Sequence, residues 1–184
     1  MTLDEYAAAV AEALGGTAEV AFGAAKIAVA NEDWVGAATK LRDDFGLVFF
    51  SWLSAIDWAN DVAAGDPLQE ATEERYEVLC LLGDLSEGRR LTLATDVSKD
   101  SPSLDTLTGV YAGADWHERE ATDMFGIEFI GHPDPRNLYL PDGFMGHPLR
   151  KSYPLVSREV KPWPGKVDVE AMPGDEPSTE NPDA

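Results

Sequence analysis

The sequence predicts an α+β fold: a two-layer sandwich of a small mixed or antiparallel sheet with helices on one side, followed by an extended C-terminal segment. Three observations favour it. Helical patterns and β-prone runs follow one another in the order α-β-β-α-β-β-β-α, and the links between the strands are mostly short. Beyond them the chain changes character, because prolines remove backbone donors at Pro133, Pro135, Pro141, Pro148 and Pro154.

The first elements are a helix and a hairpin. Residues 2–14 are predicted to be helical, since Thr2 followed by Glu5 forms a capping box and a glycine pair ends the pattern. Two short β-prone runs then turn around Gly23 and are expected to pair, Glu19–Phe22 with Lys26–Ala30.

A second helix and a long strand come next. Asn31 is predicted to cap the helix, which ends at Gly46 and has its apolar residues at helical spacing: Trp34, Ala37, Ala38, Leu41 and Phe45. Val48–Trp58 is rich in aromatic and aliphatic residues and predicts a strand. Ala59–Thr72 is polar and predicts a loop.

The last elements are two strands and a helix. The strands Arg75–Leu82 and Leu91–Val97 are joined by a turn at Glu87-Gly88. Ser101-Pro102 is expected to open the helix, because proline suits the first helical position, and its apolar stripe would be Leu104, Leu107 and Tyr111.

Three regions are therefore expected: an α+β domain (1–130), a proline-rich docking segment (131–166) and an acidic disordered tail (167–184). The proline-rich segment retains apolar residues such as Leu138, Phe144 and Tyr153, which a disordered linker would lack. We expect it to be ordered by contact, and to find its shape against neighbouring chains.

The net charge of −20 comes from 34 acidic and 14 basic residues. It argues against nucleic acid, whose phosphates need clustered Lys and Arg, and against direct adhesion to an anionic membrane. Residues 130–166 are the exception, with 6 basic and 3 acidic residues. This net-basic stretch fits either the chain's own acidic domain or an acidic neighbour.

The single cysteine, Cys80, lies in an apolar run and is predicted to be a buried thiol in a cytoplasmic protein. No basic signal-peptide start and no uncharged run near the length of a membrane helix are found in the sequence.

Metal and nucleophile sites are not favoured. His117-Glu118 begins like a zinc-protease motif, but Ala121 stands where the second histidine is needed. His132 and His147 sit in proline turns and are expected to bond to the backbone. No nucleophile elbow, phosphate-binding loop or dinucleotide fingerprint is present in the sequence.

The charge cluster at Glu118, Arg119, Glu120 and Asp123 is the strongest candidate site. On a helix over 115–124, Glu120 shares a face with apolar residues and would be half-buried, so it needs a partner. Three interpretations remain open: acid–base chemistry, pairing with a neighbouring protein, and an ion-pair latch that holds the proline-rich segment. The natural partners in the latch are Arg136 and Arg150.

The same stretch carries a family resemblance. Glu118-Arg119-Glu120, then 123–127 (DMFGI), 131–136 (GHPDPR), 140–142 (LPD) and 146–154 (GHPLRKSYP) together resemble the C subunit, or 30 kDa subunit family, of proton-pumping NADH–quinone oxidoreductase, respiratory complex I. The motif covers about 40 residues and is specific. Asn137 departs from it, since a second basic residue is expected there.

The resemblance implies a peripheral protein of the complex without a redox centre of its own. It would bind no metal or cofactor, while FMN, iron–sulfur clusters, NADH and quinone belong to the rest of the assembly. Its partners would be chiefly the D subunit, which forms the quinone site, with the B and I subunits nearby, on the cytoplasmic side of the cell membrane. For such a protein we expect docking or latch roles for these residues: Glu118, Arg119, Glu120, Asp123, Arg136, His147, Arg150 and Lys151.

Two other functions are possible for such a sequence. In the first, the chain has the equivalent place in a membrane-bound hydrogenase or an F420H2 dehydrogenase, and the neighbouring genes would show which complex it belongs to. Alternatively it is a free-standing enzyme that uses Glu118, Glu120 and Asp123 as acid–base groups, which turnover by the chain alone would reveal.

Overall fold

The computed structural model describes residues 1–63 and 69–154. The described part of the first 130 residues folds into three α-helices and seven strands, and the expected α+β class is confirmed. The elements are α1 (Leu3–Leu14), β1 (Thr17–Ala21), β2 (Ala24–Val29), α2 (Trp34–Asp43), β3 (Phe49–Trp58), β4 (Arg75–Gly83), β5 (Arg90–Val97), β6 (Ser103–Asp105), α3 (Ala114–Phe125) and β7 (Glu128–Ile130). The expectations for residues 155–184, including the acidic tail, lie outside the described residues.

Five strands form one mixed sheet in the order β1-β2-β5-β4-β3. The β2–β5 pair is parallel and the other pairs are antiparallel. Alternate residues of β4 face the core, namely Tyr76, Val78, Cys80 and Leu82. The buried residues of the three helices pack into the same core. The opposite face of the sheet, with Leu79 and Leu81, stays partly exposed. Burial raises the pKa of the Cys80 thiol, as expected of a buried free cysteine.

The capping box of α1 is confirmed, with Glu5 N–H donating to Thr2 Oγ1 and Thr2 N–H donating to Glu5. The cap predicted at Asn31 is wrong. A single 3₁₀ turn, Asn31–Asp33, precedes α2, which begins at Trp34 without a side-chain cap. The amide of Asn31 instead donates to the carbonyl of Ser103, a partner that local sequence does not reveal.

The helix predicted to start at Ser101-Pro102 is also wrong. Strand β6 lies there and pairs in parallel with β7. Leu104, Leu107 and Tyr111 are buried as expected, but they reach the core from a strand and from turns. The helical geometry is lost because long-range bonds replace the local ones: Glu128 N–H donates to Pro102 O, and Leu107 N–H donates to Glu118.

Candidate functional site

The candidate site is the C-terminal end of α3, where the described part of the proline-rich segment crosses it. A helix leaves its last carbonyls without partners. Here the segment supplies donors in order: His147 Nδ1 to Asp123 O at 2.8 Å, Leu149 N to Met124 O at 3.1 Å, and Arg150 Nε to Phe125 O at 2.7 Å. Residues 131–154 are therefore bonded to their own domain, and do not need a neighbouring chain for these contacts.

Gly126 makes this crossing possible. Its φ is +73°, and it ends α3 in the left-handed conformation that glycine adopts without strain. A Cβ on this residue would collide with the Arg150 guanidinium and lie 2.5 Å from His147 Nε2. The glycine of the motif thus has two reasons to be there, the turn and the close approach of the segment.

Asp123 is the second fixing point. Its Oδ2 accepts three consecutive backbone N–H groups, from Leu138 at 2.9 Å, Tyr139 at 2.7 Å and Leu140 at 3.1 Å. The residue is buried, so these donors compensate a carboxylate that has lost its water. One side chain of α3 therefore sets the path of three residues of the proline-rich segment.

Arg119 fixes residues 136 and 137, which come just before the three residues whose amides Asp123 accepts. Its Nε donates to Arg136 O at 2.9 Å, and its Nη2 donates to Asn137 O at 3.1 Å. Arg136 itself points outward and pairs with Asp134, the Nε–Oδ1 distance being 2.6 Å. Its guanidinium lowers the pKa of Asp134 to about 2.

Glu118 faces inward. It is completely buried, and its carboxylate accepts from Leu107 N at 2.6 Å and from Thr106 Oγ1 at 2.5 Å. Burial raises the pKa of Glu118 in spite of these two bonds and the nearby His132. The carboxylate thus organises the loop between β6 and α3, and its burial within its own domain leaves it out of reach of a neighbouring protein.

The ion pairs predicted between Glu120 and the arginines are corrected by the structure. Glu120 is half-buried, as expected. However, Arg136 pairs with Asp134, and Arg150 donates to the carbonyl of Phe125. The guanidinium of Arg136 is therefore taken by a carboxylate two residues away in the sequence, and that of Arg150 by a carbonyl at the end of the helix.

Lys151 contributes its backbone. Its N–H donates to Asp57 Oδ2 at 2.8 Å, and its carbonyl accepts from Ala63 N at 2.7 Å, while the side chain is exposed. The other oxygen of Asp57 lies 2.5 Å from Lys99 Nζ. Sequence reasoning missed Asp57, although an acidic residue in a strongly β-prone strand is an available signal.

His132, like His147, bonds to the backbone, as predicted. Its Nδ1 accepts from Asp134 N and its Nε2 lies 3.1 Å from Asp115 O, while the third histidine, His117, packs its ring against Phe50.

A cleft of about 490 Å³ lies between α3, β7 and the proline-rich segment, and it is lined in part by Arg119, Glu128 and His147.

Known proteins match this chain along most of its length. A family model described as respiratory-chain NADH dehydrogenase, 30 Kd subunit, matches residues 27–159. The C subunit of NADH-quinone oxidoreductase from Roseiflexus sp. is 37% identical over 158 residues, 86% of this chain and 85% of the relative. Its counterpart from Phenylobacterium zucineum is 36% identical, over 80% of this chain and 66% of the relative.

Two solved structures share the fold. A trypsin-resistant fragment (1–134) of Nqo5 superposes with a TM-score of 0.58 at 26% identity, over 73% of this chain and 99% of the fragment. A chain of an archaeal membrane-bound sulfane sulfur reductase superposes with a TM-score of 0.55 over 76% of this chain and 77% of its own; at 17% identity it shows the fold alone.

The family match extends from strand β2 through the candidate site. The chain therefore belongs to the 30 kDa subunit family of respiratory-chain NADH dehydrogenase, which includes the C subunits of NADH-quinone oxidoreductases.

Proposed function

We propose that this chain is a non-redox scaffold in the peripheral arm of proton-pumping NADH–quinone oxidoreductase. The observation that carries the proposal is the crossing at the end of α3, where three carbonyls of the helix receive donors from the proline-rich segment. A segment fixed in this way presents its outer side chains in one arrangement, which lowers the entropic cost of binding a neighbour.

The outer side of that segment suits a protein partner. Tyr139, Phe144, Met145 and Leu149 are exposed although they are large and apolar. Phe144 also stacks on Tyr153, with ring centroids 6.4 Å apart, so part of this surface is rigid. Aromatic and Met side chains are enriched at protein interfaces. The partner in our proposal is chiefly the quinone-site protein of the complex, its D subunit, with the B and I subunits nearby.

The candidate residues form two groups, according to whether they hold the proline-rich segment on α3 or have exposed side chains. Arg119, Asp123, His147 and Arg150 hold the proline-rich segment on α3, and we assign the latch to them. Arg136 and Lys151 have exposed side chains and are assigned to docking. Glu120 remains a candidate for either role.

In this proposal FMN, iron–sulfur clusters, NADH and quinone are bound by other subunits, and this chain keeps those subunits at fixed spacing. Acid–base chemistry by the cluster has less support, because Glu118 and Asp123 are buried and already accept hydrogen bonds from the protein. We place the chain at the cytoplasmic side of the cell membrane. None of the helices in residues 1–63 and 69–154 has the length and apolar character to span a bilayer.

The test replaces latch residues in the cell and measures two quantities separately. Asp123→Asn and Arg150→Ala should lower the amount of assembled complex severalfold, because the docking surface loses its fixed shape. NADH:quinone activity per assembled complex should stay unchanged. A matched control is Glu12→Ala, an exposed carboxylate of α1.

Loss of activity per assembled complex, with assembly intact, would favour a catalytic or coupling role instead. The rival assignments to a hydrogenase or an F420H2 dehydrogenase propose the same kind of scaffold in another complex, so the fold of this chain does not separate them. The identity of the proteins that purify with the tagged chain does: a nickel-ligating large subunit in place of the NADH-site subunits would transfer the proposal to a hydrogenase.

A further inference from the structure

We infer that the tip of the β1–β2 hairpin and the adjoining end of the sheet form a second docking surface, which binds an apolar, carboxylate-bearing segment of a neighbouring subunit. The inference rests on the proposed function only in that a neighbouring subunit exists. It concerns a different part of the chain, because the surface is formed by the sheet and by the hairpin tip at Phe22 and not by residues 131–154.

The hairpin turn has a strained residue at its tip. Phe22 has φ +52° and is followed by Gly23 at φ +74°. Two-residue turns with both residues at positive φ favour Asn-Gly, and an aromatic residue in the first position is disfavoured. The Phe22 side chain is fully exposed, so contacts within the described chain do not offset the strain. Residues in such backbone conformations cluster at functional sites, and this makes the exposed Phe22 the candidate anchor of the surface.

The topology brings further apolar residues to the same end of the sheet. The start of β2 lies beside the start of β5, and Arg90 there pairs with Gly83, which pairs with Phe49 at the start of β3. Phe49, its neighbour Val48, and Leu85 in the turn after β4 are all exposed. Large apolar side chains that cluster on a surface mark interaction sites.

A groove gives this surface a receptor for a side chain. It measures about 300 Å³ and lies between Phe22 and Trp52, with Leu79 and Thr92 among its lining residues. The face of the sheet opposite the core supplies Trp52 and Leu79, which remain half-exposed. An aliphatic or aromatic side chain of the partner suits such a groove, since an apolar anchor in an apolar pocket is the usual centre of an interface.

Charge selects the partner. The chain carries −20 in total, yet two adjacent exposed arginines, Arg89 and Arg90, stand at this rim. Arg89 pairs with Glu87, whereas Arg90 has no ion pair among residues 1–63 and 69–154. A carboxylate beside the apolar anchor of the partner would complement Arg90. A second copy of this acidic chain, or an anionic membrane, would be repelled by the charge of the whole molecule.

The hairpin surface and the proline-rich segment lie at opposite ends of the sheet. The Phe49 side of the hairpin surface lies at the start of β3, whereas Asp57, which binds the backbone of Lys151, lies near the other end of that strand. The two residues are about 26 Å apart along the strand, at roughly 3.3 Å per residue. The chain would thus contact neighbours at both ends of its sheet.

The first test uses Phe22→Asn, which creates the favoured Asn-Gly turn. Relief of strain should raise the melting temperature of the purified full chain by about 2–4 °C. The same variant should weaken retention of the chain in the purified complex by roughly tenfold in a salt or detergent titration, because the anchor is lost. A more stable chain that is held less well is the expected result. Retention equal to that of the wild-type chain would overturn the inference.

The second test identifies the occupant. A photoreactive benzoyl-phenylalanine at position 22 of the full chain, irradiated in the purified complex, should cross-link to an apolar segment of another subunit with an acidic residue nearby. Arg90→Glu should weaken retention more than Lys40→Glu, an exposed lysine of α2 used as the control. Cross-linking to a second copy of this chain, or co-sedimentation of the chain with anionic vesicles that depends on Phe22, would overturn the assignment.

The two proposals fail separately. If Phe22→Asn leaves retention unchanged while Asp123→Asn lowers assembly, the hairpin surface is not used and the proposed function stands. If Phe22→Asn weakens retention while Asp123→Asn does not affect assembly, the scaffold contact lies at the hairpin and the role of the proline-rich segment is overturned.

Discussion

The α+β domain buries Ile27, Leu93 and Leu107 completely, whereas residues 131–154 leave Tyr139 and Met145 exposed. Apolar burial stabilises the first region, at about 25 cal/mol per Å² of apolar surface. The second region is held by hydrogen bonds from a few polar groups to carbonyls and carboxylates of the domain. The difference means that the two regions should respond to different substitutions, and that the proline-rich segment can detach while the domain stays folded.

The largest expected effect lies in the domain. Leu93→Ala removes a completely buried side chain of the central strand β5 and should lower the free energy of unfolding by about 2–5 kcal/mol. Urea unfolding followed by far-UV circular dichroism measures it. Leu149→Ala, which truncates an exposed leucine of the proline-rich segment, is the matched control and should change stability by less than about 0.5 kcal/mol. Equal effects at the two positions would contradict the contrast between the regions.

An intermediate effect is expected where the two regions meet. Gly126→Ala places a Cβ against His147 and Arg150 at a residue with positive φ, which alone costs about 1–2 kcal/mol. The amides of Tyr139 and Leu149 should exchange faster, while those of β4 and β5 stay protected. Hydrogen exchange measured by NMR tests this. Gly109→Ala is the control, because its Cβ would meet nothing within 4 Å. Unchanged exchange in Gly126→Ala would show that the crossing does not hold the segment.

The smallest expected effect is a dependence on pH inside the domain. Burial raises the pKa of Glu118 above its ordinary value of 4.5, so the folded chain holds this proton more tightly than the unfolded chain. The contribution of Glu118 to stability is therefore fully present below the unfolded pKa, and is lost as pH rises through the folded pKa. Glu118→Gln, which cannot ionise, should gain stability relative to the wild type between about pH 4 and about pH 7. Urea midpoints at both pH values measure it, and a constant difference would contradict the assignment.

Local patterns predicted the elements whose signals are short-range. The Thr2–Glu5 capping box is one, and strand β4, predicted over Arg75–Leu82 and observed over Arg75–Gly83, is another. Most residues that meet at the end of α3 were also singled out, because the motif from Glu118 to Tyr153 is specific, and their roles in docking or in the latch stay a prediction. The predictions that were wrong concern side chains whose hydrogen-bond partners lie far away in the sequence. Asn31 bonds to Ser103, 72 residues away, and so does not cap α2.

The contacts within the candidate site show the same limit. Opposite charges predicted ion pairs of Glu120 with Arg136 and Arg150, but Arg136 pairs with Asp134 and Arg150 binds a backbone carbonyl. Backbone acceptors are not visible in a sequence, since every residue has one. Asp57 was missed because its partner Lys151 is 94 residues away and contributes only its N–H.

Hydrogen exchange of the purified full-length chain, without any other protein of the complex, tests the central claim most directly. If α3 holds the proline-rich segment, the amides of Leu138, Tyr139 and Leu140, which donate to Asp123, will exchange much more slowly than in an unfolded peptide, and Asp123→Asn will speed them. Exchange at the unfolded rate in the wild-type chain, with the strands of the sheet still protected, would contradict the claim.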